Sequence, residues 1–201
     1  MKTYNPGLTR HNHLTPYAFQ HTTATGAHIR PRVIWLTGLS AAGKSTIVDS
    51  LGPVLQNRGL TTCILDGDSV RTGLCRDLGF SAQDRDENVR RVAEVAALMA
   101  DAGLTVMVAL ISPTRAARHL ARSIVGSTRF VEVYVDVPLA VAEARDPKGL
   151  YRRARAGSIS GFTGLDAPYE PPVFPELHIH SDQVDVQEAV GMIDDWLLAR
   201  G

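Results

Sequence analysis

Lys44 and Ser45 lie near the end of the run Gly38-Leu39-Ser40-Ala41-Ala42-Gly43-Lys44-Ser45-Thr46, which fits G-x-x-x-x-G-K-[ST]. An apolar stretch, 33–37, precedes it and 47–51 continues it at helical spacing. That is the strand, tight turn and helix a phosphate-binding loop requires. Gly38 and Gly43 let the backbone curl so that successive N–H groups point at a phosphate chain. The following helix adds its free N-terminal donors and positive dipole end. In such a loop Lys44 reaches the β- and γ-phosphates of ATP, and the Ser45 hydroxyl ligates Mg²⁺. A chance glycine-rich turn is the alternative, and the flanking strand and helix argue against it.

Asp66 and Asp68 close the next β-rich run, 61–65. Carboxylates at the C-terminal end of a parallel strand stand where open α/β sheets bind ligands. One of the pair could hold Mg²⁺ through water, and the other could take a proton from an attacking hydroxyl. Turn and helix capping is the plainer use of such residues. Arg71, Arg76, Arg85, Arg90 and Arg91 follow. Ser81 with Asp84 forms the S-x-x-D start of a helix whose core stripe is Val89, Val92, Val95 and Met99. Arg85 and Asn88 share one face of its first turn, an arrangement suited to an anion. Taken alone, a solvated helix end is the simpler account of them.

The elements that must position these residues alternate. Further strands are expected over 105–111, 131–135 and 177–179, the first apolar enough to be buried on both faces. Helices are expected after Thr114, over 139–145, and where Val186, Val190, Ile193 and Leu197 make a closing stripe. The fold predicted is α/β, the three-layer P-loop type, with a mainly parallel sheet and helices on both faces. The 201 residues suit one such domain, over 32–201, following a polar arm at 1–31. His11, His13, His21 and His28 in that arm match no compact metal-ligand spacing. Lys+Arg and Asp+Glu both number 21, so no global field draws the chain to nucleic acid or membrane. No apolar stretch reaches membrane-spanning length and the N-terminus lacks a signal peptide's apolar core, so a cytoplasmic protein is expected. Cys63 and Cys75 form no zinc or disulfide pattern, and Cys63 reads as a buried hydrophobe.

Residues 146–175 change texture: basic and glycine-punctuated at first, then rich in proline, with little core periodicity. Such a stretch beside a P-loop suggests a lid, about 146–165, that closes basic residues over phosphates.

Taken together, the motifs resemble the adenylylsulfate (APS) kinase family over about residues 32–181. The likeness rests on Trp35-Leu36-Thr37-Gly38-Leu39-Ser40, Asp66-Gly67-Asp68, Arg76-Asp77-Leu78-Gly79-Phe80-Ser81 and Arg85-x-Glu87-Asn88. It continues in Ile111-Ser112-Pro113, Asp146-Pro147-Lys148-Gly149-Leu150-Tyr151, Phe162-Thr163-Gly164 and Pro168-Tyr169-Glu170. The resemblance implies transfer of the ATP γ-phosphate to the 3′-hydroxyl of adenosine 5′-phosphosulfate, giving PAPS. It implies that 38–46 holds ATP, with Ser45 and Asp66 at Mg²⁺ and Asp68 as base for the 3′-hydroxyl. Phe80 and Phe162 would stack on the APS adenine, and Arg71, Arg85 and Asn88 would meet its phosphosulfate end. Ile111, Ser112 and Leu150 would stand nearby, with Lys148 from the lid near the reacting phosphates. In some family members a serine matching Ser112 is phosphorylated. A homodimer is implied as well, with ATP sulfurylase a possible partner. Three positions expected beside the acceptor pocket depart from the family's habit: Ser69, Thr72 and Cys75. They leave open a kinase of the same fold for another hydroxyl acceptor. A nucleotide-binding regulatory subunit of a sulfurylase is a further reading, against which Lys44, Asp66, Asp68 and Lys148 all count.

Overall fold

β1 (Val33–Thr37) is buried along its whole length and is the axis of the sheet. Its alternate side chains supply two separate cores. Val33 and Trp35 face one cluster, and Ile34 and Leu36 face the other. A strand apolar on both faces can sit only between two layers of helices, which is why the expected three-layer fold forms. The computed structural model describes residues 30–200. The expected arm lies almost wholly outside them, as do His11, His13, His21 and His28.

In chain order, β1 is followed by α1 (Lys44–Asn57), β2 (Thr62–Asp66), α2 (Gly67–Thr72) and α3 (Ala82–Asp101). Next come β3 (Thr105–Ala109), α4 (Arg115–Val125), β4 (Phe130–Asp136), α5 (Leu139–Arg145) and α6 (Leu150–Arg155), then β5 (Leu177–His180) and α7 (Val186–Leu198). The sheet order is β2-β3-β1-β4-β5, every pairing parallel. From β1 the chain crosses to edge strand β2, returns to β3 beside β1, and then continues on the other side through β4 and β5. The loops leaving the C-terminal ends of β1 and β3 therefore diverge and open a crevice. α1 and α7 pack on one face and α3 and α4 on the other. Ser81 and Thr114 cap α3 and α4 as their spacing predicts, accepting from the Asp84 and Ala117 amides.

Three expectations need correction. Cys63 is only half-buried, because β2 is an edge strand, whereas Cys75 is fully buried. The strand expected over 105–111 ends at Ala109. There the chain turns away, with Ser112 at φ 41, and the Ile111 and Ser112 carbonyls accept from Thr37 Oγ1 at 2.7 Å and Arg118 Nη1 at 2.7 Å. Finally, the segment without periodicity contains α6, too short to show a pattern, and Asp146 caps it by accepting from the Tyr151 and Arg152 amides. Among the described residues no helix is long and apolar enough to cross a membrane.

Candidate active site

The phosphate loop is shaped by backbone that other residues would not adopt. Gly38 leaves β1 at φ 146, and a Cβ there would stand 2.2 Å from the Val135 carbonyl oxygen. Gly43 starts α1 at φ 97. Between them Ala41 sits at φ 59, a left-handed conformation costing a side-chain-bearing residue about 1–2 kcal/mol. Lys44 folds back into this turn, donating to the Gly38 and Leu39 carbonyls at 2.9 and 2.7 Å. Burial pushes its ammonium down to about 7; Asp66 and Asp68 oppose that fall, and Lys148 adds to it. A polyphosphate in the loop would supply the negative charge that this buried lysine lacks.

Ser45 Oγ donates to Asp66 Oδ2 at 2.6 Å, joining the start of α1 to the end of β2. The other oxygen of Asp66 accepts from the Asp68 amide at 2.9 Å, capping α2. A hydroxyl and a carboxylate side by side at the phosphate loop are the hard oxygen donors that Mg²⁺ takes. Asp68 pairs across the crevice with Lys148. Both side chains are more than half exposed, so their pairing is weak and readily exchanged for a substrate's own groups.

The opposite wall comes from α2, the start of α3 and the loop after α6. Phe80 is 61% exposed, with the Arg71 guanidinium 4.4 Å and the Arg85 guanidinium 5.7 Å from its ring centre. Arg85 is held by the carbonyls of Phe80 and Gly161 and by Thr163 Oγ1, at 2.9, 2.6 and 3.0 Å. Burial and the Arg71 charge hold it below the usual guanidinium range. Asn88 is buried, and its Nδ2 has no hydrogen-bond partner among the described residues. An orphaned amide of this kind costs about 1–3 kcal/mol unless a ligand accepts from it. The start of α3 is therefore packed rather than solvated, with one buried amide donor left for a ligand to engage.

One cavity of about 1370 Å³ joins these parts, and every residue the sequence named individually for ATP, Mg²⁺ or APS borders it except Gly38. Gly38 instead offers its carbonyl to Lys44 from behind. The volume exceeds the roughly 300–1,000 Å³ of a pocket for one small ligand, so two nucleotides have room. Phe162 borders the cavity but is also core, 8% exposed and edge-on to the buried Tyr151 at 4.9 Å. Tyr151 in turn donates to the Ser40 carbonyl at 3.1 Å, anchoring α6 to the phosphate loop. The Ser112 hydroxyl is buried and accepts from Trp35 Nε1 at 3.0 Å, a poor target for modification in this conformation. Ser69, Thr72 and Cys75 do not border the cavity. Thr72 Oγ1 donates to the Ser69 carbonyl at 2.8 Å within α2, and Cys75 is core, so their departure from the family's habit does not alter the wall.

Sequence reading missed the far end of the cavity, lined by Arg145, Ser181, Val184, Val186 and Ala189. Arg145 donates to the Ser181 carbonyl at 2.6 Å and approaches the Ala41 carbonyl at 3.4 Å. No motif marks this end, because its residues come from the ends of α5, β5 and α7. Thr163 was quoted in a motif yet given no role, and its grip on Arg85 is visible only in three dimensions.

Comparison with known proteins places the chain. Residues 30–180 match the family described as adenylylsulphate kinase. The Mycobacterium tuberculosis APS kinase CysC, solved with AMPPNP and APS, is 45% identical with a TM-score of 0.80, covering 84% of this chain and 98% of that one. A crystal structure of APE1195 is 36% identical with a TM-score of 0.78, over 85% of this chain and 97% of that one. A hexameric APS kinase from Thiobacillus denitrificans is 31% identical with a TM-score of 0.65, over 86% of this chain and 29% of that longer one.

Proposed function

The chain belongs to the adenylylsulfate kinase family, and we propose that it carries out the family's phosphoryl transfer with the residues gathered in this cavity. The activity is that of an ATP-dependent phosphotransferase acting on adenylylsulfate. What supports the residue roles best is the facing pair Asp68 and Lys148, set between the phosphate loop and a cationic, aromatic wall in one cavity.

ATP lies with its phosphates in 38–46, and its nucleoside runs toward Arg145, Val186 and Ala189, where a guanidinium and aliphatic side chains can cover a base. APS lies against the other wall, a reading supported by the M. tuberculosis relative having been solved with AMPPNP and APS together. Its adenine stacks on Phe80 and Phe162, its phosphosulfate accepts from Arg71, Arg85 and Asn88, and Ile111, Ser112 and Leu150 close the sides. The 3′-oxygen attacks the γ-phosphorus in line as the bond to the β–γ bridging oxygen breaks, and its proton passes to Asp68. Substrate entry exchanges the Asp68–Lys148 pair, so that Lys148 meets the transferring phosphate while Asp68 faces the hydroxyl. Lys44 neutralises charge on the β- and γ-phosphates from inside the loop. Ser45 and Asp66 would hold Mg²⁺, which when bound offsets the charge of the same phosphates. A homodimer in the cytoplasm, fed by an ATP sulfurylase, completes the proposal; the hexameric relative supports self-association.

The test is ADP release from Mg-ATP with and without APS, the product identified by mass, for wild type and Asp68→Asn. Wild type should make a product one phosphate heavier than APS. The variant should lose about 10²–10⁴-fold in kcat with ATP affinity nearly unchanged. Equal losses in turnover and ATP affinity would give Asp68 a metal-binding or folding role, and absence of APS-dependent ADP from wild type would sink the whole assignment.

A further inference from the structure

We propose that Asp136, His178 and His180 form a site for a first-row divalent cation, zinc above all, that clamps edge strand β5 to β4. Phosphoryl transfer uses none of the three. They lie on the sheet face opposite Ile179, which is buried with α1 and α7. The parallel register sets Tyr134 beside His178 and Asp136 beside His180, so period-2 alternation puts all four side chains on one face.

The donor atoms converge. Asp136 Oδ2 is 3.0 Å from His178 Nε2 and 3.6 Å from His180 Nδ1, and the three ligand atoms all lie within 4.8 Å of one another. Two zinc ligands with bonds of about 2.0–2.1 Å stand roughly 2.9–3.4 Å apart at angles of about 90–110°. Both spacings to Asp136 Oδ2 stand at or close to that range. Tyr134 donates to the other oxygen, Asp136 Oδ1, at 2.8 Å, which aims Oδ2 at the histidines. Its ring stacks on His178 at 4.7 Å and limits that imidazole's rotation. Outer partners of this kind commonly orient metal ligands. Both imidazoles are nearly half exposed, so a cation reaches them from solvent, and three protein ligands leave room for water.

A plain histidine–carboxylate hydrogen bond would account for His178. It does not account for His180, whose Nδ1 is turned toward the same oxygen beyond hydrogen-bond length and whose ring lies 4.2 Å from that of His178. Two imidazoles with one carboxylate favour zinc and its neighbours over Mg²⁺, so the ion that accompanies ATP does not compete. The cation would fasten the end of the open sheet just before Ser181, whose amide donates to the Asp136 carbonyl at 2.9 Å and whose carbonyl accepts from Arg145 at the cavity wall.

The full chain, freed of metal with chelator and free of nucleotide, is titrated with Zn²⁺ against a chromophoric chelator in excess Mg²⁺. Co²⁺ absorption reports the ligand field in parallel. Wild type should bind a single tight equivalent. His180→Ala and His178→Ala should weaken it by more than the roughly 10–100-fold expected of Tyr134→Phe, which removes only an outer partner. Melting of the metal-free variants should match wild type, while Zn²⁺ should raise the melting temperature of wild type alone. If wild type binds no tight Zn²⁺, or if the His178→Ala/His180→Ala double variant binds it as tightly, the proposal is overturned; the latter outcome would place the ligands elsewhere in the chain.

Discussion

The phosphate loop and the acceptor wall face each other across one cavity, yet they hold their shape by different means. In the loop the backbone sets the geometry: Gly38 is wedged against the Val135 carbonyl, Gly43 starts α1, and Lys44 is buried on loop carbonyls. On the wall, long side chains hold one another, with Arg71 over an exposed Phe80, Arg85 on loop oxygens, and Lys148 paired with Asp68. A preformed backbone site spends little binding energy on ordering, whereas a wall of arginines and lysines must trade internal partners for the substrate's. The two substrates should therefore respond differently to mutation: ATP binding is all-or-none with the loop, and APS binding is graded along the wall.

The largest effect should come from Gly38→Ala. A Cβ 2.2 Å from a carbonyl oxygen, at a φ that side chains avoid, leaves β1 and β4 unable to keep their register. We expect ATP binding to be lost and stability to fall by about 3 kcal/mol or more, read by calorimetric titration and by denaturant unfolding. A folded variant with near-normal ATP affinity would break the comparison, since the loop would then be adaptable too.

Next come the two phenylalanines, which share a proposed role but not an environment. Phe80→Ala removes an exposed ring, so the APS KM should rise about 5–100-fold, the cost of one lost stacking partner, with the melting temperature unmoved. Phe162→Ala also opens a hole against Tyr151 and should cost about 3–5 kcal/mol of stability on top of a raised KM. Equal effects on stability would remove the distinction between wall and core.

How much was legible follows the same division. Short-range signals were read well: β1, α1, α5 and the caps of α3 and α4 stand where glycines, apolar spacing and S/T-x-x patterns place them. Both glycines of the loop and Ser45 followed from one motif, and the neighbouring strand marked Asp66 and Asp68 as a pair without dividing their roles. Tertiary facts were not legible. Whether Cys63 is buried depends on β2 being an edge strand, which nothing local reveals. Arg118 of α4 carries no sequence signal, yet it is buried, with Glu132 at 2.8 Å and the Ser112 and Glu170 carbonyls satisfying its donors. Those bonds hold the turn after β3 and the strap at 168–172, and an isolated arginine carries no trace of them. The family resemblance, by contrast, named wall residues that spacing alone left as a solvated helix end.

The smallest and most selective test concerns protons. Lys44 falls from an ordinary 10.5 to about 7 chiefly through burial, so at pH 8 only about a tenth of the free protein carries the charge. Because the folded value lies below the unfolded one, the unfolded chain binds more protons between pH 7 and 10.5, and stability without nucleotide should rise with pH across that window. A polyphosphate in the loop restores the charged form, so ATP binding at pH 8 should take up close to one proton. Near pH 6, where the lysine is already charged, its contribution should vanish. Calorimetric titrations in two buffers of different ionisation enthalpy read this directly, and Lys44→Met should remove it. An uptake that survives in that variant would mean that another group is titrating. No uptake in wild type would mean that the loop keeps its lysine charged without a ligand, and that its preformed geometry comes without the electrostatic tension that separates it from the wall.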